Sequence, residues 1–163
     1  LIEAVSEFTS MAAEKLRKGK LRAGAIHVFI RTSPFRHSPR FYNSAVMQLG
    51  APTSDSKVLV GAAISALKSI FEPDYLLAKA GVILLDLTPA TQQQQDLLAP
   101  PAERDQSLLM EAMDSINAKY GRGTLHVASL ADERIRSSTW RPKQQMRSPR
   151  YTTRLDEIPV VHA

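Results

Sequence analysis

The chain has 163 residues and a net charge of +5, from 21 Lys and Arg against 16 Asp and Glu, which is enough for one ordinary domain or two small modules. It contains no cysteine, which excludes disulfide scaffolds, thiolate zinc sites and cysteine nucleophiles, while its basic balance permits a polyanionic partner without requiring one. No apolar run approaches the roughly 20 residues of a membrane span and no signal peptide opens the chain, so we expect a cytoplasmic protein without a membrane partner.

The amino-terminal segment predicts a helix over residues 1–18 that ends at Gly19. Five apolar residues share one face of this helix: Ile2, Val5, Phe8, Ala12 and Leu16. Because the segment opens on Leu1 and not on Met, inside the predicted helix, we expect the chain to be part of a longer protein.

Two amphipathic strands are predicted next, over residues 25–31 and 44–49, because apolar and polar residues alternate there. The side chains expected to face the core are Ile26, Val28, Ile30, Ala45, Met47 and Leu49. The loop between the strands, residues 32–42, combines prolines, cations and aromatic residues.

A second helix is predicted after the capping residues 53–56, with Val60, Ile64, Leu67 and Phe71 on its apolar face and Pro73 beyond its end. The apolar run 78–87 predicts a central strand, in which Gly81 allows a close approach. The order helix, strand, strand, helix, strand predicts an α+β fold with two helices on one face of the sheet.

The carboxy-terminal half changes in composition. Residues 89–103 are rich in Pro, Ala and Gln, which predicts a flexible tether. A helix over 104–120 follows, with Leu109, Met113, Ile116 and Tyr120 as its apolar face, and glycines 121 and 123 separate it from a short strand over 124–128. The rest of the chain is irregular and basic.

Five strings in this order resemble the polymerase V catalytic subunit, a UmuC-like Y-family DNA polymerase: AAEKLR (12–17), FIRTSPF (29–35), KAGV (79–82), NAKYGRGTL (117–125) and SPRYTTR (148–154). The resemblance implies a DNA-binding little finger with a mixed sheet over 1–88, a tether with a clamp-binding motif over 89–103, and the UmuC carboxy-terminal module over 104–163. It also implies that the first strand of the family's little finger is missing here. The string 152–154 is followed by Leu155, where many relatives have Trp.

The exposed sheet face and its loop are the predicted DNA-binding surface, because cations and hydrogen-bond donors there suit phosphates and sugars. The residues concerned are His27, Phe29, Arg31, Arg36, Arg40, Ser44, Gln48 and Lys79. From the residues alone, a solvated sheet face without a ligand would look similar; the resemblance implies backbone contacts to a damaged primer–template without sequence preference.

The tether carries a string that resembles the pentapeptide by which bacterial proteins bind the β sliding clamp. Gln94, Asp96, Leu97 and Leu98 match its pattern, with Leu98 in place of the more usual Phe. Two apolar side chains would fill a pocket while the Gln amide satisfies its rim. A chance match, or docking of the two Leu on the fragment's own surface, remains the alternative.

The basic tail mixes aromatic residues with cations, namely Trp140, Arg147, Arg150, Tyr151 and Arg154. The alternatives are a solvated segment, a second nucleic-acid contact, or a docking site for a UmuD-type accessory subunit or a RecA filament, the partners that the resemblance implies. A stand-alone interaction module that docks a protein through this tail is the competing prediction for the whole chain.

Polymerase chemistry is not predicted for this chain itself. The acidic pairs 132–133 and 156–157 lie on no apolar strand, so we predict no catalytic residue, metal site or cofactor. The resemblance implies that the parent protein is a DNA-directed DNA polymerase that uses Mg²⁺, with its catalytic carboxylates upstream, and that it acts in SOS repair and mutagenesis.

Overall fold

The computed structural model describes residues 1–92, 106–121, 123–127, 148–150, 152–154, 156 and 158. Its elements are α1 (Ile2–Lys18), β1 (Leu21–Thr32), β2 (Tyr42–Thr53), α2 (Ser56–Ile70), β3 (Leu77–Pro89) and α3 (Ser107–Tyr120). The predicted α+β fold class is confirmed. Residues 93–103 of the predicted tether lie outside the described residues, and its first residue, Pro89, is the last residue of β3.

The sheet has the order β2-β1-β3, and both described strand pairs are antiparallel. Within the described sheet β1 occupies the centre and β3 pairs with β1 alone, so the prediction that residues 78–87 form the central strand was wrong for this sheet. The apolar run in β3 had suggested burial on both faces, yet Ile83 is 46% exposed. All three strands are longer than predicted, since pairing continues past an irregularity between Ala23 and Ala25.

The core lies between one face of the sheet and the helices α1 and α2. Ile26, Val28 and Ile30 are fully buried, as predicted, and Ala45, Met47 and Leu49 pack against buried clusters from β2. Alternation along the strands sends every second side chain into this layer, which leaves the other face of the sheet uncovered by either helix.

The buried face of α1 agrees only in part with the predicted one: Val5 and Leu16 are buried as predicted, and the other members differ. Ile2 is 47% exposed, Phe8 and Ala12 are half-buried, and the fully buried positions include Thr9 and Ala13. Helix α1 contacts α2 as well as the sheet, so small residues that allow close approach are buried on it. The Thr9 hydroxyl donates to Val5 O at 2.7 Å, which satisfies its polar atom in the core.

Helix α2 begins at Ser56, within the predicted capping residues 53–56, and Asp55 is its N-cap. The Asp55 carboxylate accepts a hydrogen bond from Lys57 N at 2.7 Å, which satisfies one of the free N–H groups of the first turn. The predicted apolar face was partly wrong: Ile64 is half-buried and Phe71, just beyond the last helical residue, is 47% exposed. The buried line instead uses small residues such as Ala63 and Ala66, which fit against α1.

Helix α3 docks on the first unit through a different face from the predicted one. Met110 is 5% exposed, whereas Leu109 and Tyr120 of the predicted apolar face are 59% and 65% exposed, and Met113 and Ile116 are half-buried. The helix begins at residue 107 in the described chain, and residues 104–105 lie outside it. Asp114, which forms an ion pair with α1, lies four residues after Met110 and therefore on the same side of the helix.

That ion pair is made by Arg17 at the end of α1. Its guanidinium donates to Asp114 from Nε at 2.6 Å and from Nη2 at 2.7 Å, and from Nη1 to Ser54 O at 2.8 Å and Ser56 Oγ at 2.9 Å. Planar, two-point pairing of this kind is characteristic of arginine. One side chain therefore links α1, the start of α2 and α3.

The strand predicted over 124–128 was wrong for residues 124–127, which are irregular, and residue 128 lies outside the described chain. Gly121 and Gly123 end the helix with φ of 107° and 84°. The chain then turns back, and the Asn117 side chain accepts from Leu125 N and donates to Leu125 O, both at 2.9 Å. A side-chain amide thus takes the place of a strand partner.

Candidate nucleic-acid interface

The face of the sheet opposite α1 and α2, here called the open face, is defined by the strand register. Directly opposed residues of an antiparallel sheet point to the same side, so the register groups them in four rows. These rows are Gln48–Ala25–Leu85, Val46–His27–Ile83, Ser44–Phe29–Gly81 and Tyr42–Arg31–Lys79. The six strand residues predicted to bind DNA all lie in these rows.

Cations concentrate at one end of the open face. Arg31 lies between Tyr42 and Lys79 on neighbouring strands, and all three side chains are exposed. His27, four residues before Arg31 in β1, is half-buried, and its ring centroid lies 6.1 Å from that of Phe29. The Arg and Lys side chains can donate to phosphate oxygens, and the hydroxyl and amide groups of β2 add weaker donors.

The middle of the open face is shaped by Phe29. Its ring lies over Gly81 on β3, so closely that a Cβ at position 81 would overlap ring carbons. The predicted close approach at this glycine is confirmed. An aromatic ring that covers a glycine of the adjacent strand fixes the ring's position, so Phe29 presents a defined apolar patch between the cationic row and His27.

Sequence reasoning missed apolar members of this face. These are Tyr42, which is 63% exposed, and Ile83, which is 46% exposed. Val46, at 55%, points outward as the alternation over 44–49 predicts. Ile83 pairs with His27 and therefore points outward. The sequence alone did not show this, because residues 82–85 are all apolar and no polar residue marks the outward positions. The open face is therefore cationic at one end and more apolar across its middle.

The loop over residues 33–40 extends from the cationic end of the open face. Its base is closed where Thr32 N donates to Phe41 O at 3.0 Å and Phe41 N donates to Thr32 Oγ1 at 2.9 Å. Arg36 and Arg40, predicted to bind DNA, are both exposed in this loop. The fold therefore brings them to the same end of the sheet as Arg31.

Charge is distributed unevenly along the chain around this surface. Residues 15–54 contain eight Lys and Arg and not one Asp or Glu. This stretch includes the end of α1, both strands β1 and β2, and the loop between them. A surface formed by such a stretch attracts polyanions, and the attraction is screened by salt.

The whole clamp motif and part of the basic tail lie outside the described residues. Gln94, Asp96, Leu97 and Leu98 of the clamp motif lie outside the described residues, as do Trp140, Arg147 and Tyr151 of the basic tail. Arg150 and Arg154 are described and exposed, and both Thr153 N and Arg154 N donate to Arg150 O in a turn.

Within the part of the chain that the structure describes, no three His, Asp or Glu side chains converge as metal ligands. No described helix is long and apolar enough to cross a membrane.

Comparison with known proteins gives two family matches. The model described as the impB/mucB/samB family C-terminal domain matches residues 1–97, and a domain of unknown function, DUF4113, matches residues 107–161. Residues 98–106, between β3 and α3, separate the two matches.

Curated relatives resemble the chain over nearly its full length. Protein UmuC of Salmonella typhimurium strain LT2 is 39% identical over 158 residues, which covers 96% of this chain and 36% of the relative. Protein ImpB of Salmonella typhimurium is 36% identical over 160 residues, with 97% and 37% covered, and Protein MucB of Escherichia coli is 36% identical over 161 residues, with 97% and 36% covered. The chain thus spans little more than a third of the length of these relatives.

Proposed function

Because the chain belongs to the impB/mucB/samB family, as the carboxy-terminal region of UmuC-like Y-family polymerases, we propose that it binds the backbone of primer–template DNA without sequence preference. The open face and the loop 33–40 are the proposed contact surface. The observation that carries the proposal is the absence of any carboxylate from residues 15–54, which supply most of that surface.

The geometry of the surface supports backbone contacts more than base reading. Arg31, Lys79 and the loop cations Arg36 and Arg40 are exposed at one end of the sheet, where they can donate to phosphate oxygens. Phosphate contacts position a protein on DNA but do not distinguish sequences. A polymerase that copies damaged templates requires a grip of that kind.

The parent protein is proposed to be an error-prone translesion DNA polymerase that acts in SOS repair and mutagenesis in the cytoplasm. Its Mg²⁺-dependent catalytic carboxylates would lie outside this chain. The proposed division is a little finger over 1–88, a tether over 89–103 and a carboxy-terminal module over 104–163, in keeping with family matches over 1–97 and 107–161.

Protein partners complete the proposal. The peptide 94–98 binds the bacterial β sliding clamp, and the carboxy-terminal module contacts a UmuD-type accessory subunit or a RecA filament. The support for the first is the spacing of Gln94, Leu97 and Leu98; the support for the second is the basic tail with its aromatic residues.

A matched pair of triple variants tests the DNA proposal. Arg31, Arg36 and Arg40 are changed to Ala in one, and the exposed helix cations Lys57, Lys68 and Lys119 in the other, so that both lose three charges and fall from +5 to +2. Fluorescence anisotropy with several duplex sequences is measured over a salt series. The first variant should bind all sequences more weakly, and each lost contact should flatten the plot of log affinity against log salt by about 0.9. Equal losses in both variants would contradict a defined surface.

A further inference from the structure

The loop over residues 33–40 combines a rigid base with one projecting aromatic ring. Phe41 at its base stacks on Tyr75, with ring centroids 4.3 Å apart and planes 17° apart. It also accepts a hydrogen bond from Thr32 N and donates one to the Thr32 hydroxyl. At the tip, Phe35 is 93% exposed. Phe41, directly after the loop, is thus anchored in the fold, whereas Phe35 is directed into solvent.

Phe35 contributes nothing visible to the stability of the described fold. The other large apolar side chains that the structure describes as exposed range from 39% to 78% exposure, so each retains some packing, whereas Phe35 retains almost none. A nearly free aromatic ring on an anchored loop is suited to contact a ligand, because the anchor limits the entropy that binding must remove.

The surroundings of Phe35 indicate the chemistry of that ligand. Arg36, His37 and Arg40 of the same loop are exposed, and Arg31 lies at the adjoining end of the open face. The ligand must therefore be anionic and must also present an apolar, flat surface to the ring. A nucleobase with its phosphates meets both requirements, whereas an apolar pocket of a protein meets only the second.

We propose that Phe35 is a stacking platform for an unpaired nucleobase beside the backbone that the open face holds. In a paired duplex the bases are stacked on one another, so the ring reaches a base only at a single-stranded segment or at the junction with one. Stacking of this kind tolerates any base, because every base has a π face. The inference rests on the proposed DNA binding and adds a preference for DNA with an unpaired template segment.

Variants of Phe35 in the full chain separate stacking from other roles. Phe35→Ala removes the ring, Phe35→Trp keeps an aromatic platform, and Phe35→Leu keeps apolar bulk without one. Phe71→Ala is the matched control, because Phe71 is also exposed, at 47%, but lies beyond the end of α2 in the helical layer. Circular dichroism checks that each variant is folded.

Two DNA probes are compared by anisotropy at low salt: a blunt duplex, and the same duplex with a single-stranded template overhang that carries 2-aminopurine next to the junction. Phe35→Ala should weaken binding to the overhang probe by about tenfold and change duplex binding by less than about twofold. Phe35→Trp and Phe71→Ala should bind like the wild type, and Phe35→Leu should resemble Phe35→Ala. The 2-aminopurine fluorescence, which stacking quenches, should be higher with Phe35→Ala than with the wild type.

The outcomes distinguish this inference from the proposed function. If the wild type binds neither probe, the proposed DNA binding itself is wrong. The stacking platform is overturned, while DNA binding stands, in two cases. In the first, Phe35→Ala binds both probes with the affinity of the wild type. In the second, it loses affinity equally for both probes. If Phe35→Ala binds DNA normally but loses affinity for purified sliding clamp, the ring docks a protein, which also overturns the inference.

Discussion

Arg17 and Asp114 lie 97 positions apart in the chain and share two hydrogen bonds of 2.6 and 2.7 Å, with side chains 12% and 22% exposed. They join α1, in the region matched by the impB/mucB/samB model, to α3, in the region matched by the second family model. The two family regions are therefore in direct contact, and the contact is polar.

Arg17→Ala should lower the free energy of unfolding by about 2–4 kcal/mol, because the change leaves a partly buried carboxylate unpaired and removes the bonds to Ser54 and Ser56. Asp114→Asn should cost less, since it keeps the shape and leaves those two bonds in place. Chemical denaturation measures both. Lys18→Ala is the control: its pair with Glu14 is exposed and within one helix, so a change of less than about 0.5 kcal/mol is expected. A loss for Arg17→Ala no larger than this control would contradict the role given to the ion pair.

Gly81→Ala should destabilise the sheet by about 1–3 kcal/mol, because the new methyl group would overlap the ring of Phe29. Gly61→Ala is a matched control inside α2, where a Cβ meets nothing within 4 Å, and it should stabilise the protein by about 0.5–1 kcal/mol. In a Phe29→Ala background, Gly81→Ala should cost much less. Thermal unfolding of the four variants measures this coupling, and simple additivity would show that the ring does not limit position 81.

Replacement of Leu97 and Leu98 by Ala should abolish binding to the purified β sliding clamp, because these side chains are proposed to fill its apolar pocket. Leu98→Phe should tighten binding, since a larger apolar side chain buries more surface. Calorimetric titration measures both, and DNA binding by the same variants serves as the control. Clamp binding by the double-Ala variant at wild-type affinity would exclude this motif.

Removal of residues 134–163 should reduce capture of a UmuD-type accessory subunit, if the basic tail is its docking site. The truncation leaves α3 and the Arg17–Asp114 pair in place, so the described fold should be retained, which circular dichroism can confirm. Capture on a resin that carries the accessory subunit is the measurement. Equal recovery of the full and truncated chains would count against the tail.

The sequence predicted the fold class, the order of elements in the first unit and the outward direction of the DNA-binding candidates in β1 and β2. It could do so because alternation along a strand is a local property: once Ile26, Val28 and Ile30 face the core, His27, Phe29 and Arg31 must face away from it. Asp55 as the cap of α2 is local in the same sense. The resemblance to a family rested on short runs of consecutive residues, which can be recognised without the tertiary structure.

Only the tertiary structure decided which strand is central, which face of α3 is buried, and what lies against Gly81. Each depends on partners distant in the chain: the position of β3 at the side of the sheet follows from its pairing with β1 alone, and an arginine of α1 turns Asp114 inward while Leu109 stays exposed. Apolar periodicity indicates which side of a helix could bury apolar surface, but it does not show which side carries a partly buried ion pair to another helix. The side of α3 that faces the first unit depends on the assembled layers, because a guanidinium that is largely removed from water is stabilised only where a carboxylate lies beside it.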